Sequence, residues 1–369
     1  RGAAKAGRGA VRSRRAPAFG RGGALRRRNS NNPGVRTESV VELPSSSKGL
    51  AEKARDAAVT LWDFSRPHTL LGTLISVPAV QFYAVAPLVA SGAVTWPALL
   101  NNVVLALVPA LLVNVYITGL NQVYDVEIDQ VNKPYLPIPS GRLSLRGAWT
   151  TCIACMTLAM AWAFGHGVQL PLHATLIGSA VLGTMYSMPP IRMKRSPFLA
   201  AFAIIVVRGI VVNLGFYCFA KQALAGSLVH YGLDARGILA GAFFAVFGLV
   251  IALLKDVPDI VGDRLVGIRS MSVRLGARAV FNGSNWVLWA LLGATAAAFA
   301  AFAGEAGLAG LWWLALSRAT VAGAAAYALQ FSVRSQGTVD PKEPKQVYDY
   351  YMDVWKIFYA SYLALPLAR

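Results

Sequence analysis

Cysteine is scarce in this chain, and the three that occur exclude a disulfide framework. Cys152 and Cys155 form a C-x-x-C pair, but it lies inside an apolar run with no ligand cluster beside it. Both are expected to be small packing residues. Histidine is nearly as rare, and the scatter of His68, His166, His173 and His230 argues against a zinc or haem centre. Charge is sparse as well. Only 14% of the 369 residues are charged, 56% are hydrophobic and mean hydropathy is +0.50. That composition is too apolar for a soluble domain of this length and points to an all-α polytopic membrane protein.

Acid is absent from the first 36 residues, which carry eleven Lys and Arg. They account for most of the formal net charge of +18. A basic, acid-free, Ala/Gly/Arg-rich leader without an apolar core reads as an organelle transit peptide rather than a secretory signal. The competing reading is a basic tail on an anionic membrane surface; no nucleic-acid partner is expected. Residues 37–55, with Pro44, Ser45, Ser46, Ser47 and Lys48, read as a linker. The expected division is therefore a leader and linker over 1–55 and a membrane domain over 56–369, with Ala51 to Phe64 able to form a short amphipathic helix on the membrane surface.

Nine apolar runs long enough, or nearly so, to span follow: about 68–90, 97–121, 146–166, 170–188, 197–220, 237–255, 279–303, 306–332 and 347–367. Loops after the even-numbered runs hold fourteen Lys and Arg, whereas loops after the odd-numbered runs hold only Lys221 and Arg236. Lys and Arg collect on the side from which helices insert. This places the ends of runs two, four, six and eight together with the N-terminus, and the C-terminus opposite. The expected architecture is nine transmembrane helices around one active-site cavity.

Two acidic stretches stand at the basic side. The first is Asn121-x-x-x-Asp125-x-x-x-Asp129, at the end of run two; the second is Asp256-x-x-Asp259-x-x-x-Asp263, at the end of run six. On a continuous helix the first triplet would form a polar stripe about 12 Å long, and the second would share one face as well. A solvated helix cap is the bland reading of such acids. Ionisable groups beside a spanning segment are costly, however, and are usually functional. Two carboxylate stripes holding Mg²⁺ between them would bind a diphosphate, because such sites use a few carboxylates and leave the other positions to phosphate and water.

The first stretch, followed by Lys133-Pro134 and by Pro139-Ser140-Gly141-Arg142-Leu143-Ser144, resembles the first signature of the UbiA-type intramembrane prenyltransferases. The second, followed by Gly267-Ile268-Arg269-Ser270 and Arg274-Leu275-Gly276, resembles the family's second signature. Within that family, Arg66-Pro67-His68-Thr69, Asn132-Lys133-Pro134-Tyr135-Leu136-Pro137 and Lys255-Asp256-Val257-Pro258-Asp259 look most like the plant and algal homogentisate prenyltransferases. The stretch from Gly267 to Gly276 looks more like the phytyl branch than the solanesyl branch.

The resemblance implies transfer of a prenyl group from its diphosphate to homogentisate with loss of carbon dioxide. Mg²⁺ would be held by Asp125, Asp129, Asp259 and Asp263, with Asn121 as a neutral oxygen ligand or orienting group. Asp256 would hold metal or orient the aromatic hydroxyl. Arg66, Lys133, Arg142, Arg192 and Lys194 would close a cage around the diphosphate; for each of them, anchoring at the membrane boundary is the competing reading. Tyr186 and Lys194 look like the family's Tyr/Lys element. Arg208, near the middle of run five, would meet the aromatic acid's carboxylate or a diphosphate oxygen, or else serve structure alone. Phe216, Tyr217, Phe243, Phe244 and Phe247 would line a prenyl tunnel or simply be buried. The implied location is a plastid membrane, inner envelope or thylakoid, with the mitochondrial inner membrane as the alternative. Chlorophyll synthase and 4-hydroxybenzoate polyprenyltransferase are rival enzymes. A transporter is the non-enzyme rival, disfavoured because both stretches lie on one side and at helix ends.

Overall fold

The structure, a computed structural model, describes residues 49–226 and 234–368. The basic leader over 1–36 lies outside the described residues, as does the linker up to residue 48. Among the described residues every regular element is helical. α1 (Leu50–Phe64) begins inside the expected linker and turns at Ser65 into α2 (Pro67–Ala90), where Pro67 occupies the first helical position, which needs no N–H donor. α3 (Trp96–Tyr124) starts at Thr95, whose hydroxyl accepts from Ala98 N, and is followed by the short α4 (Val126–Asn132). Next come α5 (Leu145–Gly165), capped by Ser144 on Gly147 N, and α6 (Leu170–Ser187).

The fifth rod is composite. It runs as α7 (Pro197–Ile205), a π-helical stretch over Val206–Leu214, and α8 (Gly215–Ala225). In the wider π turn the Asn213 amide donates to the Arg208 carbonyl five residues earlier, and Tyr362 Oη donates to Asn213 Oδ1 at 3.2 Å. α9 (Ala235–Lys255) is capped by Asp234 on Gly237 N. Two short helices, α10 (Ile260–Leu265) and α11 (Met271–Leu275), lead into α12 (Ala277–Leu308), α13 (Trp312–Gln336) and α14 (Pro344–Ala364).

Among the described residues nine long rods fall on the nine apolar runs, and the protein is an all-helical membrane protein. Six of them are long and apolar enough to cross a membrane by length and hydropathy: Pro67–Ala90, Trp96–Tyr124, Leu145–Gly165, Pro197–Ala225, Ala235–Lys255 and Ala277–Leu308. The other three are diluted by polar residues: His173 and Thr175 in α6, Arg318 and Arg334 in α13, and Asp349, Asp353 and Lys356 in α14. Their inward faces explain the compromise. α14 packs on α2 and α9, burying Tyr351, Val354, Trp355 and Phe358, and leaves Lys356 exposed.

The core continues through Phe216, Tyr217, Phe244 and Phe247, all buried. Phe244 stacks on Tyr362 with ring centroids 3.6 Å apart, and Phe243 packs on its edge. These rings are packed against protein, so ordinary burial accounts for them. Cys152 is buried beside Phe64 and Cys155 is half-buried; both thiols are free.

Candidate active site

Both acidic stretches reach the same end of the bundle, and both break the helix that carries them. α3 closes at Asp125, whose N–H bonds back three residues to Gln122 O at 3.3 Å, and α4 restarts when Asp129 N–H bonds Asp125 O at 2.7 Å. α9 stops at Asp256, Asp259 caps α10, and Pro258 lies between them without a backbone donor. The continuous stripes expected from periodicity are therefore corrected. Each stretch is a helix end, a corner and a short second helix, which turns the carboxylates inward.

One side chain clamps the two corners together. Asn132, at the end of α4, donates to Asp259 O at 3.1 Å and accepts from Gly262 N at 2.9 Å. Gly262 leaves room for it: a Cβ there would sit 2.5 Å from Asn132 Oδ1. Lys133 then ion-pairs with Asp259 across the two stretches. From a third direction Lys194 pairs with Asp125, and Arg192 reaches Asp125 Oδ1 at 2.9 Å and Tyr124 O at 3.1 Å.

The result is a cavity of about 70 Å³ lined by Asp125, Asp129, Asp256, Asp259 and Asp263 with Asn121, Arg66, Lys133, Lys194 and Tyr186. Lys255 also faces it, with its ammonium 5.9 Å from the centre of the Tyr186 ring and 3.5 Å from Asp256 Oδ1. Asn121 is held by its amide on Ser187 Oγ at 3.3 Å. Arg66 and Arg192 are the two non-glycine residues among those described with positive φ, at 55° and 35°. Such backbone costs of order 1–3 kcal/mol and persists where the surroundings impose it, commonly at functional sites.

Two carboxylates of the cavity, Asp129 and Asp263, have no ion pair among the described residues, and burial governs their protonation. Burial pushes the Asp129 carboxyl up to about 6, with Lys133 and Arg66 opposing. Burial also raises Asp263, to about 7, reinforced by the charges of Asp256 and Asp259. Asp129 Oδ2 is buried with no hydrogen-bond partner.

These donors suit a hard divalent cation. They are carboxylate and amide oxygens, with no thiolate or imidazole, and one buried oxygen lacks a partner. No group of three or more Asp, Glu, His or Cys among the described residues is drawn together as a metal cluster. Instead cations separate the acids, an arrangement that fits ions sharing one or two carboxylates each with a phosphate ligand.

Residues 79–357 match the UbiA prenyltransferase family. The chain belongs to that family. A chloroplastic probable homogentisate phytyltransferase of Oryza sativa subsp. japonica is 40% identical over 310 residues, covering 83% of this chain and 72% of the relative. The homogentisate phytyltransferase of Synechocystis is 37% identical, covering 83% and 94%. In fold, a UbiA homolog from Archaeoglobus fulgidus, solved bound to GPP and Mg²⁺, aligns with a TM-score of 0.51 at 19% identity, covering 83% of this chain and 99% of the other. As a UbiA prenyltransferase, the protein transfers prenyl groups within a membrane-spanning helical scaffold.

Three residues expected at the UbiA site do not line this cavity: Arg142, Arg208 and Arg192, the last of which meets it through Asp125. Arg142 is half-exposed, bonding Asp63 Oδ2 at 2.6 Å and Tyr135 O at 2.9 Å, and does not line the cavity. A surface pair and a loop carbonyl hold it, so the structure removes it from the set around the cavity. Arg208 is also outside the lining. Its guanidinium lies 5.7 Å from the Trp355 ring centre and 5.5 Å from that of Phe358, with no carboxylate paired to it among the described residues. Gly248 makes space for its stem, since a Cβ there would approach Arg208 Cγ to 2.8 Å.

Sequence reasoning missed Asn132 and Lys255 as site-building residues. Their signal is the motif context, Asn132-Lys133-Pro134 and Lys255-Asp256, which places each next to a residue that lines the cavity.

Proposed function

We propose that this prenyltransferase moves a phytyl group from its diphosphate to homogentisate, in a plastid membrane, with loss of carbon dioxide. The observation that carries the reading is the meeting of both acidic corners with Lys133 and Lys194 in one cavity. Lys133 and Lys194, ion-paired with Asp259 and Asp125, would pass to the phosphate oxygens as the donor enters. Exchanging anionic partners keeps each ammonium paired, which limits the cost of the motion.

Asp125, Asp129, Asp259 and Asp263 would hold Mg²⁺, which would supply positive charge to neutralise the departing diphosphate. Lys133, Lys194, Arg192 and Arg66 add fixed positive charge around the same oxygens. The allylic C–O bond breaks, the diphosphate leaves with the electron pair, and a ring carbon of homogentisate supplies the pair for the new C–C bond. The ring proton is then lost, and the carboxylate leaves as carbon dioxide while the side-chain carbon that carried it takes up a proton to become a methyl group. Arg208 is assigned to the acceptor carboxylate, because a guanidinium beside the Trp355 and Phe358 rings, with no carboxylate paired to it among the described residues, has planar donors to spare. Asp256 and Tyr186 stand at the cavity wall where an aromatic hydroxyl would be oriented.

The acid-free leader and the chloroplastic relative support delivery to a plastid, at the inner envelope or thylakoid. The decisive experiment incubates the full chain in detergent with Mg²⁺, phytyl, geranylgeranyl and solanesyl diphosphates, and homogentisate or 4-hydroxybenzoate. Products are identified by mass. Phytylated, decarboxylated homogentisate should dominate and vanish with EDTA. A solanesyl product would move the protein to the other branch, and product formed only from 4-hydroxybenzoate would overturn the acceptor.

A further inference from the structure

A second and larger cavity, about 760 Å³, opens beside the acidic corners and plays no part in prenyl transfer as described above. Its wall begins with Val257 and Pro258, from the segment that carries the second acidic motif, and continues along Val261, Leu275 and Pro341. Val261 and Leu275 are 61% and 59% exposed, so an apolar trough is left uncovered by the chain. Arg264, Arg278 and Lys342 stand exposed around it, and no acidic side chain lines it.

Three further features aim at the same spot. The 32-residue helix α12 begins there, with Ala277, Arg278 and Ala279 on the lining. Its N-cap is Gly276, which has no side chain to satisfy the first backbone N–H groups. These donors and the helix dipole favour an anion. Ser272, fully buried on the same lining, has a hydroxyl with no hydrogen-bond partner among the described residues. Positive-inside bias explains why cations gather in this loop. It does not explain an orphaned hydroxyl, an uncapped helix start and an apolar trough converging on one place.

We propose that this groove binds an acidic membrane phospholipid, its phosphate at the start of α12 between Arg278, Arg264 and Lys342, and its acyl chain along Val261 and Leu275. The ligand must be both anionic and amphiphilic. A free phosphate would leave the trough wet, and a neutral lipid would leave the helix start and three cations unanswered.

The test uses the full chain in detergent, titrated with phosphatidylglycerol or phosphatidylcholine and read by native mass spectrometry. One phosphatidylglycerol should be retained in preference to phosphatidylcholine. Replacing two cations, Arg278→Gln with Lys342→Gln, should weaken retention roughly 25-fold, at about fivefold for each charge near a membrane surface. Ser272→Ala should weaken it less, and prenyl transfer by the double variant in phosphatidylcholine nanodiscs should match the parent, certifying its fold. Should the double variant misfold, Ser272→Ala and Arg264→Gln, made separately, carry the same comparison. Equal retention of both lipids would overturn the proposal, as would undiminished preference in the variants. Displacement of the lipid by millimolar inorganic phosphate would also overturn it, by showing a site for free anion only.

Discussion

At the scale of single residues the site is a balance of carboxylates and cations, and the unpaired carboxylates should report themselves through pH. Asp263 is raised to about 7 in the folded protein, chiefly by burial. An unfolded Asp titrates near 4. Between these values the native state holds the extra proton, so this residue's contribution makes stability fall as pH rises from about 4 through about 7. In EDTA, melting temperature across pH 5 to 8 should therefore decline less in Asp263→Asn than in the parent. Parallel curves would place the carboxyl in water. Arg208 is tested differently. If it meets the acceptor carboxylate, Arg208→Lys keeps the charge but loses the planar fork. The aromatic KM should rise about tenfold, for roughly 1.4 kcal/mol of lost pairing, while the donor KM stays put. A structural Arg208 predicts the reverse: Arg208→Met lowers the melting temperature and leaves both KM values alone.

At the scale of elements, the rods were legible because bilayer thickness imposes long apolar runs that a reader can count. The corners were less so. Helical spacing of Asn121, Asp125 and Asp129 continues unbroken on paper, and no proline marks the break at Asp125. What accompanies it is tertiary: Lys194 and Arg192 take the Asp125 carboxylate from a different loop. Pro258, which has no backbone donor, does mark the second corner in the sequence. The clamp between the corners was invisible for the same reason, since Asn132 and Gly262 are 130 residues apart. It yields a non-additive prediction. Gly262→Ala drives a Cβ against Asn132 and breaks both of its hydrogen bonds, at a cost on the order of 1–3 kcal/mol, with loss of prenyl transfer. Asn132→Ala loses the same bonds but leaves space. The double variant should then melt and turn over no worse than Asn132→Ala alone. Additive losses would mean that the two side chains do not share one clamp.

At the scale of the whole molecule, loop charge and site geometry lead independently to the same arrangement. Charge counting assigns the loops after the second and sixth rods to one face; the structure brings their carboxylates into one cavity. Three rods are less apolar than the other six, yet alternation of loop charge requires α6 and α13 to cross. If α6 did not span, the Met193–Arg195 turn that delivers Lys194 to Asp125 would lie on the wrong side of the bilayer. Single cysteines placed in a chain cleared of Cys152, Cys155 and Cys218 decide this. Labels at Gly141, Gly267 and Gly337 should react with an impermeant maleimide from one side of sealed vesicles, and labels at Gly92, Gly167 and Gly310 only from the other. All six are exposed turn positions, five of them at positive φ, so reactivity reports sidedness rather than burial. Cysteine at those five costs some backbone strain, which yield will register without changing the side labelled. A label at Gly167 reacting together with Gly141 would unseat α5 as a crossing helix and with it the shared chamber. Gly337 reacting with Gly310 would do so for α13 alone and leave the acidic corners where they are.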